Sequence, residues 1–427
     1  MEIKAEELRN ILENNILSFW LLRMQDKENG GFYGQIRGDG TLVADAPKGC
    51  ILNGRILWAF SAAYRLLGKP EYLEAATRAK CYIIDHFIDR EYGGVFWSVD
   101  CKGNPLDTKK QFYALGFVLY GMSEYVRATG DEEALSICLS LFDTIEEHAY
   151  DSQYGGYIEA LTRDWQPIED MRLSDLDANY PKSQNTHLHI IEPYTNMLRM
   201  VQEIQKVQGV QEFKMFKDHQ NQIEVPSEPF STIHNNSNIQ AAVRRLIDIF
   251  CDKILNPVTH HLDLFFDMDW QRGAGRLESY GHDIECSWLL HEAAFVLGDE
   301  DVLRKVEPIV RLVARASEKG LNPDGSMTHE ANLDNGYIDK DRHWWVQAET
   351  VVGFYNIYQH FGSASALQKA ENCWQYIKDH LIDYDGGEWY WSADEADNIN
   401  RQDDKAGFWK CPYHNSRMCL ELIERMR

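Results

Sequence analysis

A turn rich in glycine and aromatic residues recurs along this chain of 427 residues and limits the folds open to it. The first glycine of the turn advances from position 30 to 93 to 155, in steps of 63 and 62 residues. A fixed period of this size is typical of architectures built from one repeated supersecondary unit. The clear copies are Asn29–Tyr33, Tyr92–Trp97, Tyr154–Tyr157 and Asp385–Trp389, and weaker copies lie around Asp263 and Gly325.

Between these turns the apolar residues keep helical spacing, as Leu57, Phe60, Tyr64 and Leu67 do. Each period has room for two helices, so six turns indicate six helical hairpins. An open solenoid of hairpins would need polar capping repeats, whereas the first and last turns here are as aromatic as the others. The sequence therefore predicts an all-α fold, an (α/α)6 barrel of six helical hairpins with short β-ribbons or turns at one end.

One interval is longer than the rest. From Gly155 to Asp263 the chain runs 108 residues and includes a polar stretch, around 205–240, that is rich in Gln, Asn, Lys and Glu. We interpret this stretch as an inserted surface loop or frayed helix, with a lid or an oligomer contact as the alternative. We expect residues 1–427 to form a single domain that carries this polar insertion.

The net charge argues against two classes of partner, and the cysteine content indicates a cellular compartment. The formal net charge is −24, so a nucleic acid or an anionic membrane surface is a poor partner. Nine cysteines, an odd number without a CxxC pair, indicate reduced thiols in a cytoplasmic protein. No window approaches the roughly 18 apolar residues of a membrane span.

Four common catalytic signatures are missing from the sequence: HExxH, GxSxG, the P-loop and a convincing GxGxxG. Their absence argues against zinc proteases, α/β-hydrolases, nucleotide hydrolases and nicotinamide enzymes.

Three histidine motifs could carry chemistry. His282 and Glu285 are three residues apart at a helix start, which suits either a general base with its carboxylate or a capping histidine with a solvated glutamate. His414 follows Cys-Pro-Tyr, also at a helix start. Asn185 and His189 share a helix face, whereas His187 points away from that face.

The remaining motifs are aromatic or contain a lone arginine. Arg55 lies among apolar helix residues, which requires either an internal salt bridge or a functional anion. The pairs Tyr113 with Phe117 and Trp344 with Trp345 are more often core than pocket. Twelve tryptophans and 21 tyrosines nevertheless exceed what packing needs, and flat aromatic faces suit sugar rings.

Together these motifs resemble the N-acylglucosamine 2-epimerase family, and within it the cellobiose 2-epimerase subgroup most closely. Matching segments cover nearly the whole chain, and three strings are specific in combination. The resemblance implies one (α/α)6 barrel with a central pocket, no metal and no organic cofactor, a small-molecule sugar as partner, and a monomer or weak homodimer. The strings are Ser279-Tyr-Gly-His-Asp-Ile-Glu, Trp344-Trp-Val-Gln-Ala-Glu and Trp409-Lys-Cys-Pro-Tyr-His.

The resemblance also implies a role for each residue. His282 and His414 would be acid/base histidines on opposite sides of the sugar C2, with Glu285 supporting His282. Arg55 would face the C1 and C2 oxygens, and Asn185 and His189 would bind hydroxyls or assist ring opening. Among the aromatic residues, Trp345 and Trp409 would stack on sugar rings, while Tyr113, Phe117 and Trp344 would line the pocket.

The implied reaction interconverts the reducing-end glucose and mannose units of cellobiose-type β-1,4-disaccharides by ring opening and proton transfer at C2 through an enediolate. Alternatives within the family are a mannose 2-epimerase, an N-acylglucosamine 2-epimerase and an aldose–ketose isomerase acting on monosaccharides. Two other classes stay open: a glycoside hydrolase on the same barrel, which needs two flanking carboxylates, and a glycan-binding protein without activity.

Overall fold

Helices form most of the computed structural model, which describes residues 2–175, 177–218 and 236–427, the stretch 207–218 by its backbone alone. The described helices are α1 (Ala5–Ile11), α2 (Ser18–Arg23), α3 (Cys50–Leu67), α4 (Pro70–Tyr82), α5 (Phe112–Thr129), α6 (Glu132–His148), α7 (Gln184–Asp218), α8 (Asn236–Ile249), α9 (Tyr280–Leu297), α10 (Glu300–Ser317), α11 (Trp344–Phe361), α12 (Ala364–Tyr376) and α13 (His414–Arg425).

The described helices form two concentric rings. In the inner ring α3, α5, α7, α9, α11 and α13 each pack against the next, and α13 packs back against α3. In the outer ring α4, α6, α8, α10 and α12 each pack on the inner helix of the same hairpin. Helix α1, joined to α2 by the π-helical segment Leu12–Leu17, packs on α13 and so brings the two ends of the chain together. The predicted (α/α)6 barrel is confirmed.

The helices of the two rings differ in how their buried residues are distributed. The outer helix α10 buries one stripe, Val302, Val306, Val310 and Val313, and leaves its charged residues outward. The inner helices are buried nearly all round and approach each other closely. A Cβ on Gly116 of α5 would lie 2.4 Å from the carbonyl oxygen of His189 on α7, so the absent side chain permits this packing distance.

Short antiparallel ribbons lie at the N-terminal ends of the inner helices. Strands β1, β4, β6, β8 and β11 lead directly into α3, α5, α7, α9 and α11. The described strands are β1 (Lys48–Gly49), β2 (Ser98–Val99), β3 (Pro105–Asp107), β4 (Lys110–Gln111), β5 (Ala160–Leu161), β6 (Lys182–Ser183), β7 (Phe265–Phe266), β8 (Leu277–Ser279), β9 (Glu330–Asn332), β10 (Tyr337–Asp339), β11 (Arg342–His343) and β12 (Ser392–Ala393). They pair as β1-β2-β3, β4-β5, β6-β7, β8-β9-β10 and β11-β12.

All six predicted turns close in the same way, with one antiparallel bridge across each. The weaker copies behave like the clear ones, which confirms the repeat. The bridges are Gln25 with Phe32, Ile88 with Val95, Tyr150 with Tyr157, Leu255 with Leu262, Leu321 with Met327, and Ile382 with Trp389.

The polar stretch predicted as an insertion, around 205–240, lies largely outside the described residues. At its two ends α7 runs to Asp218 and α8 begins at Asn236. None of the helices in the described ranges is long and apolar enough to cross a membrane.

Candidate active site

A cavity of about 370 Å³ lies at the ribbon end of the barrel. Each inner helix contributes to its wall from its first turns, where the helix dipole gives a partial positive charge. That field favours a substrate or intermediate that carries negative charge. The wall residues, one from each inner helix in chain order, are Arg55, Tyr113, His189, His282, Trp345 and His414.

Two imidazoles flank one indole in this cavity. The ring centroid of Trp345 lies 4.8 Å from that of His282 and 5.7 Å from that of His414. The two histidines, on α9 and α13, therefore reach the same space from different walls, as a two-base reaction at one carbon requires.

A carboxylate orients His414. Its Nδ1 lies 2.7 Å from Oε1 of Glu349, so the Nδ1–H donates to the carboxylate and Nε2 is left as the basic nitrogen. Burial, followed by the charges of Arg55 and Arg417, lowers the pKa of His414 well below its usual value. The ring is neutral at physiological pH and able to accept a proton.

A hydroxyl, not a carboxylate, is the partner of His282. Its Nδ1 lies 2.7 Å from Oγ of Ser279, the last residue of β8. Burial, with smaller contributions from His189 and His329, lowers the pKa of His282 to about 3. The expected support from Glu285 is not present, so this part of the sequence interpretation needs correction.

Glu285 belongs instead to the His414 side of the cavity. Its Oε1 accepts a hydrogen bond from Nη2 of Arg417 at 2.6 Å and lies 3.9 Å from Nδ1 of His414. The permanent charge of a guanidinium attracts a carboxylate more strongly than a neutral imidazole does. Burial and the nearby Glu349 raise the pKa of Glu285 well above its usual value.

Arg55 is buried without an anion. Its Nη2 donates to the hydroxyl of Tyr113 at 2.9 Å, and among the described residues no carboxylate lies within ion-pair distance. The ring of Phe117 lies under the guanidinium, 4.1 Å from ring centroid to Cζ. Phe117 was expected to line the cavity. It packs behind Arg55 instead and is not among the described residues of the cavity wall. The internal salt bridge that sequence left open does not form, so Arg55 offers its charge to the cavity.

The start of α7 supplies two polar groups. His189 donates from Nδ1 to Glu192 at 3.1 Å, and its ring lines the cavity, where burial lowers its pKa. Asn185 also lines the cavity, and its Oδ1 has no hydrogen-bond partner in the described parts of the chain. His187 faces away, with Nδ1 bonded to the carbonyl of Ser183 at 2.6 Å, as helical spacing predicts.

Three predicted tryptophans line the cavity: Trp344, Trp345 and Trp409. Trp344 packs on Trp391, with ring centroids 4.8 Å apart, and Trp409 packs on Trp97 and Tyr113, each 6.1 Å away. These contacts fix the orientation of the indole faces before any ligand arrives.

Two groups in the described parts of the chain have the spacing of metal ligands, and neither suits one. Glu285, Glu349 and His414 already surround a cation, because Arg417 donates to both carboxylates at 2.6 Å. The other group consists of His329, which lines the cavity, with Asp339 and His343. Its imidazoles stack nearly parallel with centroids 4.1 Å apart, so their in-plane lone pairs do not converge on one point.

Sequence reasoning missed Glu349, Glu192 and Arg417. A local signal existed, because Glu192 follows His189, and Arg417 follows His414, by three residues on the same helix face. No local signal connects the three side chains with one another, because they come from α7, α11 and α13.

Comparisons with known proteins agree on one family. The model for N-acylglucosamine 2-epimerase (GlcNAc 2-epimerase) matches residues 31–195 and 231–417. A cellobiose 2-epimerase from Bacteroides fragilis is 52% identical over 99% of both chains, and one from Ruminococcus albus is 38% identical over 98% of both. The solved cellobiose 2-epimerase of Bacillus thermoamylovorans is 38% identical, covers 99% of both chains and superposes with a TM-score of 0.87.

Proposed function

The chain belongs to the N-acylglucosamine 2-epimerase family, and we propose that it interconverts the reducing-end glucose and mannose units of cellobiose-type β-1,4-disaccharides. One observation carries the chemistry: two neutral imidazoles, His282 and His414, flank the same indole in a cavity that also holds a buried arginine without a carboxylate partner among the described residues. The full-length similarity to cellobiose 2-epimerases supports the choice of substrate.

The reaction begins with ring opening, because only the open aldose has a carbonyl beside C2 that acidifies the C2 proton. One histidine removes that proton from its own side of the sugar, and the other histidine returns a proton to the opposite face. The enediolate formed in between carries negative charge, which Arg55 stabilises. Protonation at C1 instead would give a ketose, so some isomerase activity accompanies epimerisation.

The remaining cavity groups bind the sugar in this proposal. Asn185 offers a free carbonyl oxygen to a hydroxyl, and His189 binds a hydroxyl or assists ring opening. Trp345, Trp409 and Trp344 offer apolar faces to the two rings of a disaccharide, and Tyr113 holds Arg55 in place. A cytoplasmic location and a monomer or weak homodimer complete the proposal.

The geometry of the site is less suited to a glycoside hydrolase. It requires one carboxylic acid and one carboxylate on either side of a glycosidic bond. The carboxyl groups beside His189 and His414, those of Glu192, Glu285 and Glu349, all bond to one guanidinium, that of Arg417, so these three form one cluster instead of two opposed groups.

NMR of the purified protein with cellobiose, mannose or N-acetylglucosamine in D2O tests the proposal. We expect deuterium at C2 and a mannose-ended product from cellobiose. Release of free glucose without an epimer would support hydrolysis. Binding without exchange at C2 would support a glycan-binding protein. Turnover of a monosaccharide but not of cellobiose would indicate one of the monosaccharide-specific activities of the family.

A further inference from the structure

Arg417 is fully buried, has a permanent charge and does not line the cavity described above. Its guanidinium lies between two aromatic rings, 4.8 Å from the ring centroid of Trp288 and 4.3 Å from that of Tyr413. This aromatic enclosure fixes the plane of the guanidinium, so its N–H groups point in defined directions.

Those N–H groups bond to three carboxylates from three different inner helices. Nη2 donates to Oε1 of Glu285 and to Oε1 of Glu349, each at 2.6 Å, and Nη1 donates to Oε1 of Glu192. A planar fork that bonds several carboxylates at once cannot be replaced in geometry by the single ammonium of a lysine.

Two of these carboxylates bind the histidines of the cavity. Oε1 of Glu349 accepts from His414 Nδ1 at 2.7 Å, and the other carboxylate oxygen of Glu192 accepts from His189 Nδ1 at 3.1 Å. One guanidinium therefore connects the groups that orient both imidazoles. Carboxylates that accept the second N–H of a functional histidine fix its tautomer and ring orientation.

Electrostatics supports the same connection. Burial raises the pKa of Glu192, but the charge of Arg417 together with the contacts from His189 and Tyr413 outweighs it, and the net pKa is lowered. Arg417 also contributes, after burial and Arg55, to the low pKa of His414. Removing the charge would therefore raise the pKa of His414 and leave buried carboxylates without a cation.

We propose that Arg417 is a positioning residue for proton transfer: its fork holds Glu349 and Glu192 in the orientations that set the tautomers of His414 and His189. The inference rests on the proposed function, and the residue acts through other groups without touching the substrate.

The test compares Arg417→Lys with Arg127→Lys. Arg127 is a matched control because its side chain is also largely covered and bonds to Glu124, Glu203 and Asn196, outside the cavity lining. We expect Arg417→Lys to lower kcat for epimerisation about 10- to 100-fold, with KM changed much less. Arg127→Lys should lower Tm while kcat stays near that of the wild type.

A second readout does not depend on turnover. In 15N-histidine spectra the wild type should show His414 in the form protonated at Nδ1, and Arg417→Lys should show a mixture of tautomers. If Arg417→Lys does not fold, the double variant Arg417→Gln with Glu285→Gln removes the cation together with one acceptor and should show the same tautomer mixture.

The outcomes separate the two proposals. A wild type that does not epimerise any of the three sugars overturns the proposed function, while the spectra still decide the role of Arg417. Wild-type kcat together with unchanged tautomers in either variant would overturn the positioning role. A fall in Tm without any change in kcat or tautomer would show that Arg417 only stabilises the fold, and would overturn it as well.

Discussion

Oε1 of Glu349 accepts the Nδ1–H of His414 across 2.7 Å, and Oε2 of the same carboxylate accepts the indole N–H of Trp288 at 2.9 Å. Both oxygens of Glu349 are thus engaged by donors, which fixes the carboxylate and, through it, the imidazole. The basic Nε2 of His414 is the nitrogen left for the substrate.

The first prediction concerns this pair. Glu349→Gln keeps the size of the side chain but removes the charge that favours Nδ1–H, so kcat should fall by about 10²- to 10³-fold, similar to the loss of a general base. KM should change little, because Glu349 does not line the cavity. Proton NMR of cellobiose turnover measures both constants. Glu421→Gln on α13, whose carboxylate bonds to Arg425, is the control and should be near wild type.

The second prediction concerns the division of labour between His282 and His414. Each imidazole serves one face of the sugar, so His282→Asn and His414→Asn should each abolish epimerisation. Each variant should still exchange the C2 hydrogen with D2O from one epimer only, and the two variants should use opposite epimers. Exchange from both epimers by a single variant would show that one mobile base serves both faces.

The third prediction concerns Arg55. Its guanidinium bonds to the Tyr113 hydroxyl and has no carboxylate partner among the described residues, so its charge is available to the enediolate. Arg55→Met should lower kcat/KM by about 10²- to 10³-fold, the usual cost of losing one donor to a developing oxyanion. Steady-state kinetics with cellobiose measures the loss. A variant that keeps more than about a third of the activity would contradict this role.

The fourth prediction concerns pH. Burial lowers the pKa of His282 to about 3 and that of His414 well below its usual value, so both bases stay neutral in mild acid. Between pH 7 and 5 kcat/KM should therefore fall by less than about twofold, although a free histidine titrates near 6.5. An acid limb near pH 6.5 at constant Tm would contradict the lowered pKa values.

Stability should depend on pH more strongly than activity does. Below about pH 6.5 the unfolded chain binds a proton at each of these histidines, whereas the folded chain does not. The free energy of unfolding should therefore decrease as pH falls from about 6.5 towards 3, and Tm with it. Calorimetry on the samples used for kinetics would show Tm falling in a range where kcat/KM is still nearly constant.

The fold was predictable from sequence because one local signal, the turn, repeats six times. Even the weak copies close the same bridge. Asn256 takes the place that Asp26 has in the first turn and accepts hydrogen bonds from the backbone in the same way. In the fifth turn Asp324 accepts from the backbone N–H of Ser326, while Asn322 donates from Nδ2 to the carbonyl oxygen of Ser326. The side-chain oxygen of asparagine or aspartate suits this turn equally well.

Of the site, only the features that depend on spacing within one helix were predictable. His282, Asn185 and His189 line the cavity, since each lies near a helix start on an inward face. The partner of Glu285 was not predictable, because spacing within α9 relates it to His282 and says nothing of Arg417 on α13. Contacts between helices decide which charged groups pair, and a single sequence does not display them.

Buried lysines were also missed. Lys48, Lys110 and Lys182 each enter from the strand before an inner helix and bond to the aspartate and a glycine carbonyl of the preceding turn. They follow the first aspartate of the turn by 22, 21 and 31 residues, so no fixed spacing reveals them.

The last prediction uses one of these lysines. Nζ of Lys182 lies 2.7 Å from Asp151 and 2.8 Å from the carbonyl oxygen of Gly155, and neither charged side chain is appreciably exposed. Lys182→Met leaves Asp151 buried without a cation, which should cost about 3–5 kcal/mol of the free energy of unfolding. Thermal unfolding measures the change. Lys340→Met removes an exposed pair with Glu395 and should leave Tm nearly unchanged, because exposed ion pairs contribute little. Equal Tm values for the two variants would show that the buried lysines do not stabilise the turns.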